Sequence, residues 1–165
     1  MKFGTKGRYA VMAMVDLANR TVMHKKNGPV VLSDIAARQD ISLSYLEQLF
    51  SKLRKKGLVK SVRGPGGGYM LARGADQLRV SDIVMAVDEP LRATRCKPMS
   101  GSGCMPDGGR CVTHDLWEEL SNHIYLFLNT VTLEDVCVGR VLGSSGALHA
   151  AQRDNGNPQA TAAAE

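Results

Sequence analysis

The sequence predicts a mainly α-helical chain with one small β-hairpin, and three stretches carry that reading. Leu46, Leu49, Phe50 and Leu53 recur at helical spacing, as do Leu116, Leu120, Ile124, Phe127, Leu128 and Val131 in a longer segment. Between these segments, two short β-prone runs flank Gly64-Pro65-Gly66-Gly67-Gly68, which has the chemistry of a turn.

The first element runs from Thr5 to about Arg20, with Thr5 as N-cap and Tyr9, Met12, Ala13 and Leu17 on one stripe. Lys2, Lys6 and Arg8 stand at its start, where they oppose the helix dipole; a phosphate nearby would make that placement tolerable. A loop of turn-forming residues, His24 to Pro29, follows. Ser33 is then expected to cap a short helix carrying Ile35 and Ala36, and Asp40-Ile41-Ser42 to form a tight turn. The next helix runs from Leu43 to Lys56 and stops at Gly57. Its apolar face is Leu46, Leu49, Phe50 and Leu53. Its opposite face is Ser44, Gln48, Ser51 and Lys55, flanked by Tyr45, Glu47 and Lys52.

Two short helices joined by a tight turn, the second polar on its outer face, form a helix-turn-helix pattern. Gln48 suits adenine, Ser42 and Ser44 a base edge or phosphate, and Lys52 and Lys55 the DNA backbone. Glu47 repels phosphate unless it accepts a hydrogen bond from a cytosine amine, so it reads as an element that penalises some sites. Helix pairs of this kind are also common as plain structure, and the segment that follows weighs between the two. Leu58 to Arg63 and Tyr69 to Ala72 are strand-like about the glycine-rich tip, which makes a wing. Gly64 and its neighbours let backbone approach a phosphate, and Arg63 is placed to enter the minor groove. A nucleotide-binding phosphate loop is weakly supported, because no Gly-Lys-Ser/Thr follows and no helix opens after the glycines. The expected architecture is a winged helix-turn-helix domain plus a long dimerisation helix.

Val80 to Val87 reads as a short amphipathic helix ended by Asp88-Glu89-Pro90. The long helix, 115–131, has an apolar face with Trp117 beside it that needs a covering surface. A symmetric dimer on a pseudo-palindromic duplex supplies one, and packing within the chain is the alternative. The organisation is therefore a DNA-binding domain at 1–90, a Cys/His loop at 91–114, a dimerisation helix and short C-terminal helix at 115–140, and a disordered tail at 144–165.

Charge agrees with this division. Residues 1–80 hold fifteen Lys and Arg against five Asp and Glu, whereas residues 81–165 hold six against eleven. A basic half joined to an acidic half suggests a polyanion-binding module and a sensing or assembly module. No run approaches the ~18 apolar residues that span a bilayer, and the N-terminus lacks the apolar core of a secretory signal. A cytoplasmic protein is expected, with cysteines that hold metal or react rather than pair.

Three of the four cysteines and one histidine, Cys96, Cys104, Cys111 and His114, lie within nineteen residues, separated by seven, six and two positions. The loop between them is rich in Gly and Pro and poor in apolar side chains, so ligands converging on a metal would order it. Zinc sites favour close ligand pairs, a form that only Cys111 and His114 have. The wider gaps suit a larger object such as an iron–sulfur cluster, and three thiolates with one imidazole suit [2Fe–2S]. Zinc and a metal-free thiol switch remain alternatives. Arg95 and Arg110 each precede a ligand cysteine and could offset cluster charge. Cys137, after a Thr132-Leu133-Glu134-Asp135 turn, reads as a buried free thiol. Use of Cys111 and His114 as nucleophile and base is weakly supported, because no pocket or oxyanion element is readable around them. No enzyme is expected.

Taken together, G-R-Y-A-V-M-A-M, I-S-L-S-Y-L-E-Q-L-F-S-K-L-R-K-K-G-L-V, S-V-R-G-P-G-G-G-Y, V-D-E-P and A-T-R-C…G-C…C-V-T-H-D-L-W-E-E-L resemble the IscR family. These are bacterial iron–sulfur cluster regulators, on a winged-helix fold shared with a nitric oxide sensor. The resemblance covers about residues 1–136. It implies a homodimeric regulator that holds [2Fe–2S] through Cys96, Cys104, Cys111 and His114 and receives it from the cluster assembly machinery. The loaded form would repress cluster biogenesis genes; loss of the cluster would relieve repression and leave a second set of sites still recognised. Ser42, Ser44, Tyr45, Glu47, Gln48 and the wing residue Arg63 fall where the family reads DNA. The cysteine spacing is slightly wider here than in that family, and His114 favours the cluster regulator over the nitric oxide sensor.

Overall fold

The computed structural model describes residues 4–24, 28–89, 91, 104–105 and 108–141. Cys96, Arg95, Lys2 and the expected tail lie outside them. Helix α1 spans Thr5–Val22. Thr5 is its first helical residue rather than its cap, which is Gly4 with no side-chain bond. Ala10, Ala13, Met14, Leu17 and Ala18 form its buried face, so the expected stripe is rotated and Tyr9 and Met12 stand at its edge. Small alanines let neighbours approach the axis closely, and α1 packs against four other helices and the wing.

Helix α2 (Leu32–Gln39) begins after an extended Val31, and Ser33 is exposed inside its first turn rather than capping it. Asp40 then takes the left-handed conformation, with φ 51°. That turn drops Ile41 into the core, its N–H bonded to the Ala36 carbonyl. Helix α3 (Leu43–Lys55) is capped by the Ser42 hydroxyl, which accepts from the Tyr45 N–H. All four residues of its expected apolar face are buried. It ends in a Schellman motif: Gly57 at φ 70° donates to Arg54 and Leu58 donates to Leu53, each at 3.0 Å.

Strands β1 (Val59–Val62) and β2 (Gly68–Leu71) pair antiparallel, with Val59 opposite Leu71 and Val62 opposite Gly68. The tip is therefore 63–67, and Gly68 belongs to the strand. Val30, leading into α2, exchanges both hydrogen bonds with Tyr69, so the wing is fastened to the helix-turn-helix. A Cβ on Gly68 would lie 2.3 Å from the Val30 carbonyl oxygen, a close approach that only glycine permits. Phe50 meets the Tyr69 ring edge-on at 5.0 Å and joins α3 to the wing.

After a short 3-10 turn (Ala75–Gln77), helix α4 (Val80–Ala86) buries Val80, Ile83 and Val84, with Val87 just beyond it. Helix α5 (His114–Thr130) is followed by a return to the winged domain. Val80 donates to the Val131 carbonyl at 3.0 Å and Leu133 to the Leu78 carbonyl at 2.9 Å. Thr132 and Asp135, expected within a turn, instead form a capping box that opens helix α6 (Leu133–Cys137). Leu133 is fully buried in the main core. Cys137 ends α6, partly buried against α1 with its sulfur 3.9 Å from the Val15 carbonyl oxygen. Burial, followed by the Glu134 charge, pushes its thiol up, so it is a poor nucleophile.

One tie has no counterpart among the sequence expectations. Asp16 on α1 receives Arg38 Nη2 at 2.6 Å, Arg38 Nε at 3.1 Å and Gln39 Nε2 at 2.7 Å. Burial would raise this carboxyl, but the bonds from Arg38 and Gln39, with the Arg38 charge, hold it below the usual carboxylate range. The network fixes the end of α2 on α1, immediately before the turn into α3.

Candidate functional site

The outer face of α3 and the wing tip are both exposed. Ser44, Glu47, Gln48 and Lys55 are solvent-facing, and Ser51, Lys52 and Tyr45 are half-buried. Ser42 is exposed but engaged as the helix cap. Tyr45 packs edge-on against Tyr9 at 6.0 Å, and the Arg8 guanidinium lies 5.8 Å from the Tyr9 ring centroid. This places a cation of α1 beside the start of α3. Lys52, Arg54 and Lys55 occupy the last turns of α3, where they complement the dipole. Arg54 reaches Ser61 of β1 at 3.4 Å, and the Lys52 ammonium lies 2.8 Å from Asp88. Arg63 and Gly64 are exposed at the wing tip, Gly64 with φ 103°. The Arg63 side chain has no ionic or hydrogen-bonded partner among the described residues.

The second constellation surrounds the start of α5. His114 is its first residue and is buried. Its Nδ1 lies 3.6 Å from Cys104 Sγ, and the Cys111 N–H donates to the same sulfur at 3.0 Å. Cys111 is half-buried, with its sulfur 3.7 Å from the Thr113 hydroxyl. Thr113 also accepts from Trp117 Nε1 at 3.2 Å. His114 Nε2 faces Glu118 at 3.7 Å, one helical turn along. Arg110, expected to offset charge at the cysteines, lies 3.6 Å from Asp115; both are well exposed, so this pair contributes little.

These donors fit a thiolate-bound metal group. Two ligands of one tetrahedral metal at bond lengths near 2.0 and 2.3 Å stand roughly 3.6 Å apart, the separation of Cys104 Sγ and His114 Nδ1. A backbone N–H aimed at a sulfur is the kind of bond that stabilises a bound thiolate. Structure thus brings the Cys104 sulfur and His114 Nδ1 together, with the Cys111 backbone N–H on that sulfur, whereas the Cys111 sulfur lies beside Thr113 and Cys96 is outside the described residues. The ligand atoms of His114, Asp115 and Glu118 also cluster within 4.8 Å of one another.

The chain matches a family described as iron-dependent transcriptional regulators over residues 3–139. It belongs to the Rrf2 family. Among curated relatives of this Rrf2 protein, the transcriptional regulator IscR of Yersinia pseudotuberculosis is 49% identical over 98% of this chain and 92% of its own length. IscR of Pectobacterium carotovorum is 54% identical over 82% and 79% of the two chains. Among solved structures, T. potens IscR aligns with TM-score 0.65 at 37% identity, covering 90% of this chain and 96% of its own. The global cysteine regulator CymR of B. subtilis aligns with TM-score 0.66 at 33% identity, covering 84% and 97%. The winged-helix architecture and the resemblance to IscR are borne out. This Rrf2 chain is a DNA-binding transcriptional regulator and not an enzyme.

Beyond the site, α5 carries exposed apolar side chains. Leu116, Leu126 and Phe127 are 62%, 56% and 52% exposed, with Trp117 and Tyr125 less so. Of the expected stripe, Leu120, Ile124 and Leu128 are half-buried and Val131 is buried. No helix among the described residues is long and apolar enough to cross a membrane.

Proposed function

We propose that this regulator is a cytoplasmic homodimer that senses [2Fe–2S] and represses iron–sulfur biogenesis genes at pseudo-palindromic promoter sites. The approach of Cys104 Sγ to His114 Nδ1 at the first turn of α5, with the Cys111 N–H on the same sulfur, carries the reading. With Cys96, these residues would hold the group, which the cluster assembly machinery supplies. When bound, it provides a redox- and supply-dependent switch in charge and loop order. A buried His114 excludes water from one side of the site. Glu118, at 3.7 Å from Nε2, favours the tautomer that leaves Nδ1 free toward Cys104.

On the DNA side, Gln48 would pair with adenine, Ser44 and the capping Ser42 would meet base edges or phosphate, and Tyr45 would stack its exposed edge against the backbone. Glu47 would restrict the sites accepted. Lys55 would neutralise a phosphate, as would Lys52 once its bond to Asp88 is broken, while Gly64 brings the wing backbone close and Arg63 enters the minor groove. Apolar residues concentrated on α5 support subunit pairing along that helix.

The test is an anaerobic visible absorption spectrum, with iron and acid-labile sulfide assays, on wild type and His114→Ala. Reddish-brown protein with about two irons and two sulfides per chain, altered by the substitution, is expected of this cofactor. Colourless protein containing zinc or no metal after iron-replete anaerobic expression defeats it.

A further inference from the structure

The end of α4 reaches across to α3. Helix α4 closes as α3 does, in a Schellman pattern: Asp88 donates to the Met85 carbonyl at 3.1 Å and Glu89 to the Val84 carbonyl at 3.3 Å. At the left-handed position α3 has Gly57, whereas α4 has Asp88 with φ 56°. An aspartate there sits in a conformation that glycine adopts without strain, so the side chain has a task. Its Oδ2 takes the Lys52 ammonium at 2.8 Å, tying a cation of α3 to the end of α4. The Lys52 hydrogen bond, then its charge, with the Lys56 and Lys6 charges farther off, keep the Asp88 carboxyl below the usual carboxylate range. It therefore stays ionised throughout the neutral range.

We propose that Asp88 is a positioning residue for DNA binding, holding Lys52 against the end of α4 and withholding its charge from the phosphate backbone. This rests on the reading that the outer face of α3 meets DNA. Lys55, about one turn further along α3 and without a partner among the described residues, is then the lysine freely offered to phosphate. Lys52 becomes available only when Asp88 lets go. Asp88 stands eight residues before Cys96, so the residue that restrains α3 also marks where the Cys/His loop leaves the winged domain.

The full chain would be titrated against a random-sequence duplex by fluorescence anisotropy, over a series of KCl concentrations. Asp88→Asn keeps a side chain tolerant of left-handed backbone and removes the charge, and circular dichroism would check that the variant is folded. Each phosphate neutralised adds about 0.9 to the slope of log K against log salt. Asp88→Asn is expected to steepen the slope by about 0.9 per chain, which tightens binding roughly eightfold at 0.1 M relative to 1 M salt. Lys52→Met should change the slope little in the otherwise wild-type chain and by about 0.9 when combined with Asp88→Asn. An equal effect of Lys52→Met in both backgrounds overturns the proposal, because Asp88 would then act only through general charge. Lys55→Met separates this failure from a wrong reading of α3. If it leaves the slope unchanged, α3 does not face the phosphates and the proposal falls with that reading.

Discussion

Replacing Leu133 by Ala tests whether the chain's return after α5 is part of the winged domain's fold. Leu133 is fully buried in the same core as Leu46, Phe50 and Ile83. Its backbone N–H is bonded to the Leu78 carbonyl, so the site cannot close by moving α6 inward without breaking the pairing at 78–80. Leu→Ala substitutions in such positions cost about 2.7–5 kcal/mol, the higher values where surrounding atoms do not relax. A loss of about 3 kcal/mol is expected here, and with a urea slope of ~2 kcal/mol/M it lowers the denaturation midpoint by about 1.5 M. Urea titrations followed by far-UV circular dichroism would measure it, with protein concentration held constant. Leu71→Ala, half-buried on β2, serves as a partly exposed comparison. A loss below about 1 kcal/mol for Leu133→Ala would refute the reasoning. Residues 131–137 would then be docked on a domain already complete without them.

Three further outcomes are expected. Arg63→Ala should weaken specific binding by about 1–3 kcal/mol in anisotropy titrations, and an equal loss on random DNA would make it a phosphate contact only. Glu47→Ala should broaden the sites bound by cluster-free protein in a competition assay, and unchanged site preference would remove its discriminating role. Asp16 has a folded-state pKa held below its unfolded value near 3.9, so its contribution is present above that value and lost as pH falls through the lower, folded one. Acid denaturation monitored by circular dichroism should therefore be shallower in Asp16→Asn than in wild type below about pH 4, from a lower starting stability. Parallel acid limbs would show that Asp16 is not titrating with unfolding.

Periodicity makes the functional half of α3 legible, because a helix with Leu46, Leu49, Phe50 and Leu53 inward must turn Ser44, Gln48 and Lys55 outward. The wing is legible for a different reason: five consecutive Gly and Pro residues between β-prone runs leave few alternatives. Caps are harder to read. Thr5 and Ser33 are good capping residues by type, yet both helices start one or two residues earlier on backbone geometry alone. Thr132 to Asp135 reads as a turn because a capping box and a turn use the same residues, and what extends it into α6 is the burial of Leu133 at long range. The Asp16–Arg38 and Lys52–Asp88 pairs join positions 22 and 36 residues apart. Nothing local in the sequence marks such partners.

The two ends of α5 have different attachments. Its C-terminal end is joined by main-chain bonds to residues 78–80, while its N-terminal end holds His114 beside Cys104 and Cys111. Seventeen helical residues span about 25 Å. Cys104, Cys111 and His114 therefore lie far from the joint. A rod of that length also magnifies angle: a tilt of about 5° about the joint carries its far end roughly 2 Å. Under the function proposed above, a chemical change at the Cys/His tip would be read out as a change in the angle of α5 against the winged domain, with the fold kept.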